Sequence, residues 1–335
     1  MNGTAKILYP LAVVTLLILL PLLTLTGQGI QLVFAVVIPY LALAVFFAGF
    51  IYRIVRWANS PVPFNIVTTG GQEKSLPFIQ YNKMESPRSY WGVAGRMALE
   101  ILFFRSLFRN NQAAQVAPQK LVYGGSRWLW LGGLAFHWSL LIILFRHLRF
   151  FTDPVFPPIL FVSDLDGIFQ LAIPTLFITD FIIVIALTYL FLRRVVFPQV
   201  RYISLASDYL ALLLILAVVL SGVLMRWIFR VDLVAIKELA VSVIIFQPVL
   251  PADIGLPFYI HLLLVCVLVA YFPFSKMMHA PGILFSPTRN LKNDSRAVRR
   301  INPWSKPVRV HTYEEYEDEF RKPMKAAGIP VEKEA

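Results

Sequence analysis

The stretch RWLWLGGLAFHWSLLIILFRHLR, residues 127–149, places His137 and His147 inside a mostly apolar run. A helix of this length reaches across the hydrocarbon core of a bilayer, which is about 30 Å thick. Ionisable residues inside a membrane are costly and by default functional. The stretch therefore predicts a membrane helix whose two histidines belong to a functional site.

The composition of the whole chain is typical of a membrane protein. Of its 335 residues, 58% are hydrophobic and 15% are charged, whereas soluble domains average about 25% charged residues. The mean hydropathy is +0.67. A soluble fold of this size could not bury so much apolar surface, which excludes a water-soluble globular enzyme. The net charge of +12 then indicates membrane orientation rather than nucleic-acid binding, and we expect no nucleic-acid partner.

Six apolar segments are long enough to span a bilayer. The predicted spans are residues 7–26, 30–55, 127–149, 168–193, 205–228 and 257–279. We therefore predict an all-α membrane protein with six transmembrane helices. The predicted units are an N-terminal transmembrane helix pair (1–56), a cytoplasmic loop with an amphipathic helix (57–126), a four-helix domain that carries the histidines (127–279), and a basic cytoplasmic tail that docks a partner (280–335).

Within the loop, residues 93–108 (VAGRMALEILFFRSLF) carry Arg96 and Arg105 among apolar residues. This pattern predicts an amphipathic helix, which suits the membrane interface or the surface of a partner. Packing of the helix against this chain's own loop is an equal alternative.

Basic residues near the ends of the spans predict the orientation. Arg53 and Arg56 end the second span, whereas the loop 150–167 holds three aspartates and no lysine or arginine. We therefore expect both termini and the loop 57–126 to be cytoplasmic, and the loop 150–167 to face outward, together with the loop 229–256.

Four of the five histidines lie in or at the ends of two predicted spans. His137 and His147 lie on the third span, and His261 and His279 lie on the sixth. Their depths predict that His147 pairs with His261 near the outer face and His137 with His279 near the inner face. Because imidazole is a standard axial ligand of haem iron, the two pairs predict two haem b groups. His311 is expected to be a surface residue of the tail.

The spacings impose a geometric condition on these pairs. His261 and His279 are 18 residues apart and would share one helix face, whereas His137 and His147 are 10 apart. At about 1.5 Å per residue, the axial separations are about 27 Å and about 15 Å. Straight parallel helices cannot satisfy both pairs, so we expect tilt and a kink or early end at Pro273 to absorb the difference.

The chain has a single cysteine, Cys266. One cysteine cannot hold an iron–sulfur cluster, and there is no C-x-x-C-H motif for covalent haem. An electron that reaches the inner face must therefore pass to a separate cytoplasmic partner. The basic tail and the loop 57–126 are the predicted docking surface, and binding of the tail to anionic lipid is the alternative.

Two histidines ten residues apart on one helix and two eighteen apart on the last helix resemble the cytochrome b (gamma) subunit of respiratory nitrate reductase, over about residues 127–279. The N-terminal helix pair, the polar loop and the long tail resemble its DsrM branch, the membrane cytochrome b of the sulfite-reductase-associated transmembrane complex. The cytochrome b subunit of a nitrate reductase or a heterodisulfide reductase is an alternative.

This resemblance implies a diheme b-type cytochrome in the cytoplasmic membrane of a prokaryote. It implies electron transfer between menaquinone or menaquinol and a cytoplasmic iron–sulfur subunit related to heterodisulfide reductase, in dissimilatory sulfur metabolism. Further membrane and periplasmic subunits of a multi-subunit complex are implied as partners. In the family pattern, the same two histidine pairs bind the two haems.

The quinone pocket is expected near the outer haem. The candidates from the sequence are Arg146, Arg149, Asp153 and Tyr259. The family uses a lysine in the loop after the first histidine helix, but residues 150–192 contain none. As an alternative, Arg146 and Arg149 pair with haem propionates, since guanidinium groups suit carboxylates.

Three other aspartates in this region are less specific candidates for a functional role. Asp164 and Asp166 are interpreted as solvated acids of the outer loop, and Asp180 as part of a proton path or a hydrogen bond to a neighbouring helix. A non-haem proton-coupled transporter is the competing function for membrane histidines and aspartates. Such transporters are built from inverted repeats, and we find no internal repeat in the sequence.

Overall fold

The computed structural model describes residues 4–25, 27–60, 77–78, 80–117, 120–167, 175–252, 254–286, 289–294 and 309–333, with the backbone alone over 111–117 and 120–123. The described residues form helices and one antiparallel hairpin, whose strands are β1 (Asn111–Ala117) and β2 (Lys120–Gly125). The hairpin lies within the segment for which the sequence predicted a loop with one helix.

The helices cover most of the described chain. In chain order they are α1 (Ala5–Thr24), α2 (Gln28–Leu32), α3 (Ile38–Ala58), α4 (Tyr90–Phe103), α5 (Arg105–Phe108), α6 (Arg127–His147), α7 (Pro157–Asp166), α8 (Ile178–Val196), α9 (Pro198–Ile203), α10 (Ala206–Leu224), α11 (Leu233–Ile244), α12 (Leu256–Tyr271), α13 (His279–Gly282) and α14 (Tyr313–Ala326). Single π-helical turns join α2 to α3 (Val33–Val37) and extend α10 (Met225–Phe229).

Five helical stretches are long and apolar enough to cross a membrane. They are Ala5–Thr24, Gln28–Ala58, Arg127–Phe150, Ala206–Phe229 and Leu256–Phe274. They overlap five of the six predicted spans, so the chain is a multi-pass helical membrane protein.

The remaining predicted span, 168–193, is only partly described by the structure. Its residues 168–174 lie outside the described residues, and α8 begins at Ile178. Although α8 is 19 residues long, it carries Asp180, Arg193 and Arg194, and for that reason its composition is less apolar than that of the five stretches above. Six spans are therefore not established by length and composition alone.

The histidine-bearing helices belong to one packed bundle. Helix α6 packs against α8, α8 against α10, and α10 against α12. The N-terminal helices join this bundle, because α1 packs against α10 and α12 and α3 packs against α12. Val14 of α1, Leu214 of α10 and Leu264 of α12 meet in one buried apolar cluster.

The predicted amphipathic helix over residues 93–108 is not continuous, and this prediction is corrected. Helix α4 ends at Phe103, and Phe104 adopts a left-handed conformation with φ of 50° before the short helix α5. The end of α4 packs on this chain's own α6: the indoles of Trp130 and Trp138 donate hydrogen bonds to the carbonyls of Phe103 (2.7 Å) and Leu102 (2.9 Å). The segment therefore packs against the chain itself, but on helix α6 and not on the loop that the alternative named.

A buried ion cluster ties this segment to the start of the tail. Glu100 lies 3.3 Å from Arg289 and accepts a 3.0 Å hydrogen bond from the backbone N–H of Ser106. Arg96 donates to the carbonyls of Glu85 (2.8 Å) and Arg289. Burial lowers the pKa of the Arg96 guanidinium from its ordinary value. The tail therefore begins on the buried face of α4, whereas its basic residues from 295 to 308 lie outside the described residues.

A glycine on α3 allows a close approach to the proline that follows the C-terminal end of α12. A Cβ added at Gly49 would lie 2.8 Å from Cβ of Pro273, a ring that cannot turn away. We therefore expect Gly49→Ala to lower the free energy of unfolding by about 1–3 kcal/mol, as overpacking does. The measurement is thermal unfolding of the purified chain in detergent.

Gly95→Ala is the matched control for this variant. Gly95 is also helical, but no atom lies within 4 Å of an added Cβ. Alanine there is expected to raise stability by about 0.5–1 kcal/mol, because it restricts the unfolded chain and favours helix. Equal melting temperatures for the two variants would contradict the contact between α3 and Pro273.

Candidate functional site

His137 and His279 face each other at one end of the bundle. His137 lies on α6, His279 begins α13, and their ring centroids are 5.9 Å apart with the ring planes at 84°. His279 is exposed, whereas His137 is half-buried. The structure thus brings together the two histidines predicted to form the inner pair.

His279 does not continue the helix of His261, so the expectation of one shared helix face is wrong. Helix α12 ends at Tyr271, and a 3-10 turn over Phe272–Phe274 follows. Ser275 is extended, and the chain then re-forms short helical turns up to His279. The physical reason is Pro273, which has no N–H to donate to the helix ladder. Helix α12 therefore ends early, next to Pro273, as the histidine spacing predicted.

The other two histidines, His147 and His261, also lie on α6 and α12. His147 is the last residue of α6, and His261 lies in the second turn of α12. His261 is within electrostatic reach of His147. A Cβ added at Gly222 of α10 would lie 3.4 Å from Cε1 of His261, so the glycine leaves just the space that the imidazole occupies.

Three of the four imidazoles are held by backbone carbonyls through Nδ1. The acceptors are Gly133 for His137 (2.7 Å), Ile143 for His147 (2.7 Å) and Lys276 for His279 (2.8 Å). Because a carbonyl only accepts, Nδ1 carries the proton in each ring and Nε2 keeps a free lone pair. Histidines that ligate metals are held in this way.

The fourth imidazole is held by a side chain on a neighbouring helix. Ser221 Oγ of α10 donates its proton to the carbonyl of Val218 (2.9 Å) and lies 2.9 Å from Nδ1 of His261. Since a hydroxyl has only one proton, Nδ1 of His261 must be the donor in the second bond. His261 therefore also presents an unprotonated Nε2.

The donor set fits haem better than a single protein-bound ion. Within the described residues, no group of three or more His, Cys, Asp or Glu side chains is placed to hold a metal ion. A pair of histidines from two different elements is the ligand type that would hold haem iron, which would supply one-electron redox chemistry there. The rings of His137 and His279, with centroids 5.9 Å apart, would be the two ligands at one such site.

Two phenylalanines line the His137 ring edge-on. The centroid of Phe136 lies 4.7 Å and that of Phe104 lies 4.9 Å from the centroid of His137. Phe104 reaches this position through its left-handed backbone, which is rare for an aromatic residue and recurs at functional sites. Sequence reasoning missed Phe104, because a run of apolar residues contains no signal for a break there.

The charged candidates near the outer pair have separate roles. Arg146 is buried and bridges Asp166 and Asp180, the latter at 3.1 Å, and its guanidinium lies 3.5 Å from the centre of the Phe177 ring. The expectation that Asp166 is a solvated loop acid is therefore wrong, because it also accepts from the backbone and hydroxyl of Thr179. Asp180 accepts a hydrogen bond from Arg146 of the neighbouring helix α6, which is one of the two roles predicted for it from the sequence.

The other charged and aromatic candidates lie apart from that bridge. Arg149 lies over the ring of Phe150 at 5.2 Å, and within the described part of the chain it pairs with no carboxylate. Asp153 is exposed and lies 2.9 Å from Lys237. Tyr259 is 1% exposed and packs in the apolar core, so it faces no open site.

An open groove lies beside the end of α6 that carries His147. Its volume is about 630 Å³, which is in the range of small-molecule sites. Its lining includes Phe145, Leu148, Thr152, Asp153, Phe156 and Pro157. The wall of the groove is therefore mostly apolar, and Thr152 and Asp153 add one hydroxyl and one carboxylate to it.

The Arg146 bridge generates a stability prediction. Asp166→Ala leaves a buried guanidinium with one partner fewer, and we expect a loss of about 3 kcal/mol or more. The exposed pair of Asp153 and Lys237 supplies the control, because Asp153→Ala is expected to cost about 0–1 kcal/mol. Thermal unfolding in detergent measures both, and a small effect for both variants would contradict a structural role for the bridge.

Comparisons with known proteins identify the family of this chain. Residues 90–300 match the family described as the nitrate reductase gamma subunit. An Archaeoglobus fulgidus protein named Hdr-like menaquinol oxidoreductase cytochrome b-like subunit is 48% identical over 282 residues, which cover 82% of this chain and 84% of that protein. The Archaeoglobus profundus protein of the same name is 43% identical over 274 residues, which cover 80% and 81%. The chain belongs to the nitrate reductase gamma subunit family.

Proposed function

We propose that this chain is a diheme b-type cytochrome subunit that passes electrons between menaquinol in the membrane and a cytoplasmic iron–sulfur protein. The observation that carries the proposal is the facing pair of His137 and His279, with ring centroids 5.9 Å apart, together with an engaged Nδ1 on each of the four histidines. The names of the two relatives, which combine cytochrome b-like with menaquinol oxidoreductase, support both haem and menaquinol.

In this proposal each histidine pair holds one haem. His137 and His279 are the inner ligands, and His147 and His261 are the outer ligands. Haem supplies one-electron redox chemistry at each site. The protein fixes the imidazole tautomers and packs Phe104 and Phe136 against His137. Arg149 is the guanidinium best placed to pair with an outer propionate, because Arg146 is already held by two carboxylates.

We also propose that α8 is a sixth span, with both termini cytoplasmic. Asp180 is paired with Arg146, so its charge in the span is compensated. Arg193 and Arg194 lie in the last turn of α8, where positive charge belongs on the cytoplasmic side. Helix α8 packs directly between α6 and α10, which are both long and apolar enough to span.

The groove beside His147 is the proposed menaquinol site. Oxidation of a quinol to a quinone releases two electrons and two protons. The apolar wall of Phe145, Leu148 and Phe156 suits the naphthol ring and lipid tail, and Thr152 and Asp153 offer polar partners for the hydroxyl groups. Asp153, which is exposed, is placed to accept a proton and release it to the outer water.

The inner face is the proposed exit to the partner. His279 is exposed, and the tail is tied to α4 beside it through Arg289 and Glu100. Lys276 and Arg289 pair with Asp208 and Glu100 within the chain, and together with the basic residues of the tail they suit an acidic patch on a cytoplasmic iron–sulfur subunit. The resemblance to the DsrM branch and the word Hdr in the relatives' names support a heterodisulfide reductase-like partner in dissimilatory sulfur metabolism.

Haem content tests the function directly. We expect a dithionite-reduced minus oxidised spectrum and a pyridine haemochrome assay to give two haems b per purified chain. His137→Ala and His279→Ala should each remove the same haem, and His147→Ala and His261→Ala should each remove the other. A folded wild-type chain without haem would contradict the proposal and favour a non-haem transporter.

His311→Ala is the matched control for these variants. His311 is an exposed residue of the tail, with Glu319 as its nearest acid at 3.9 Å. Its replacement is expected to leave both haems in place. Loss of haem from this variant would mean that the assay reports general instability rather than ligation.

The quinol groove is tested by filling it. Val155 lines the groove, and Val155→Trp is expected to raise the KM for a soluble menaquinol analogue at least tenfold while both haems remain. Val310→Trp is the control, since Val310 is 85% exposed in the tail and is not among the residues that line the groove. Equal effects of the two variants on the rate of haem reduction would place the quinol site elsewhere.

A further inference from the structure

We propose that Ser221 is a positioning residue that sets the redox potential of the outer haem through its hydrogen bond to His261. This inference rests on the proposed function, in which His261 and His147 ligate that haem. Ser221 itself touches no reacting atom and acts only through the imidazole.

The hydrogen bond makes His261 different from the other three histidines. His137, His147 and His279 donate to backbone carbonyls, which no substitution removes. Nδ1 of His261 lies 2.9 Å from the hydroxyl of Ser221 on α10, a helix other than its own, and the carbonyl of Val218 on the same helix is a further acceptor beside it. A single substitution at residue 221 can therefore change one ligand and leave the other three as they are.

The proposed ligation fixes the direction of the bond, because haem binding at Nε2 requires Nδ1 to carry the ring proton. Ser221 Oγ gives its proton to the carbonyl of Val218 at 2.9 Å and so can only accept from Nδ1 of His261 at 2.9 Å. The two bonds form a chain from the imidazole through the hydroxyl to the backbone, in which each bond polarises the next. Gly222 lies against Cε1 of the same ring and restricts its rotation.

The chemical consequence concerns the electron-donating power of His261. A hydrogen bond donated from Nδ1 makes the opposite nitrogen a more basic ligand. A more basic axial ligand stabilises ferric over ferrous iron, and so it lowers the midpoint potential. Hydrogen bonding to the ligand is one of the means by which proteins tune haem potentials. Loss of the Ser221 hydroxyl should therefore raise the potential of the outer haem.

The experiment is a spectroelectrochemical titration of the purified full chain. We expect Ser221→Ala to retain both haems, to shift the midpoint potential of the outer haem upward, and to leave the inner haem unchanged. His147→Ala, which lacks the outer haem, identifies which of the two transitions is which. Ser221→Thr should restore the wild-type potential, because a threonine hydroxyl on a helix can bond the i−3 carbonyl in the same way.

Ser242→Ala is the matched control. The Ser242 hydroxyl likewise donates to an i−3 carbonyl, that of Leu239 at 2.7 Å, but on α11, and its other contact is Val249. Its removal is expected to change neither potential, which separates the loss of a buried serine hydroxyl in general from the loss of the bond to His261.

Each other outcome has a defined meaning. Two haems with unchanged potentials in Ser221→Ala overturn the inference and leave the proposed function intact. Should Ser221→Ala lose the outer haem, Ser221→Cys decides, because sulfur is a weaker acceptor: a raised potential supports the inference and a wild-type potential overturns it. A wild-type chain without haem overturns the proposed function itself.

Discussion

An imidazole among apolar helices must satisfy both ring nitrogens, and this constraint organises the structure. In His137 and His147 of α6, one of the two ring nitrogens is satisfied within the helix, because Nδ1–H donates to the carbonyl four residues earlier. The bond places the ring proton on Nδ1 and leaves Nε2 unprotonated. The bundle then has to bring a second imidazole to each of these nitrogens.

The second histidine of each predicted pair, His261 or His279, is positioned by a different local structure. His261 lies on the regular part of α12 and is held from the side by Ser221 of α10. His279 comes after the helix has ended at Pro273, on a short turn fastened close to α3, where Gly49 permits contact with the proline ring. Ending the helix early shortens the distance between the two histidines, so that His279 reaches His137, which a continuous helix would not allow.

The buried charged side chains near the two predicted histidine pairs are neutralised by different partners. Near the outer pair, Arg146 is neutralised by Asp166 and Asp180 within the bundle, and this pairing offsets the cost of burying ions. Near the inner pair, Glu100 and its arginine neighbours lie in the α4–α5 segment and the tail, outside the apolar spans. That cluster holds Phe104 against His137 and anchors the start of the basic tail, so the proposed exit face is built on the same contacts as the inner site.

The positions of five apolar spans and the approach of His137 to His279 could be predicted from the sequence, because hydropathy, helical spacing and residue chemistry are local properties. The pairing of His147 with His261 stays a prediction. The need for an early end at Pro273 also followed from spacing alone. Only the tertiary structure decided that α4 breaks at Phe104, that Asp166 is buried against Arg146, and that Tyr259 packs in the core. These features, like the bond from His261 to Ser221, depend on contacts between residues far apart in the chain, for which no local pattern exists.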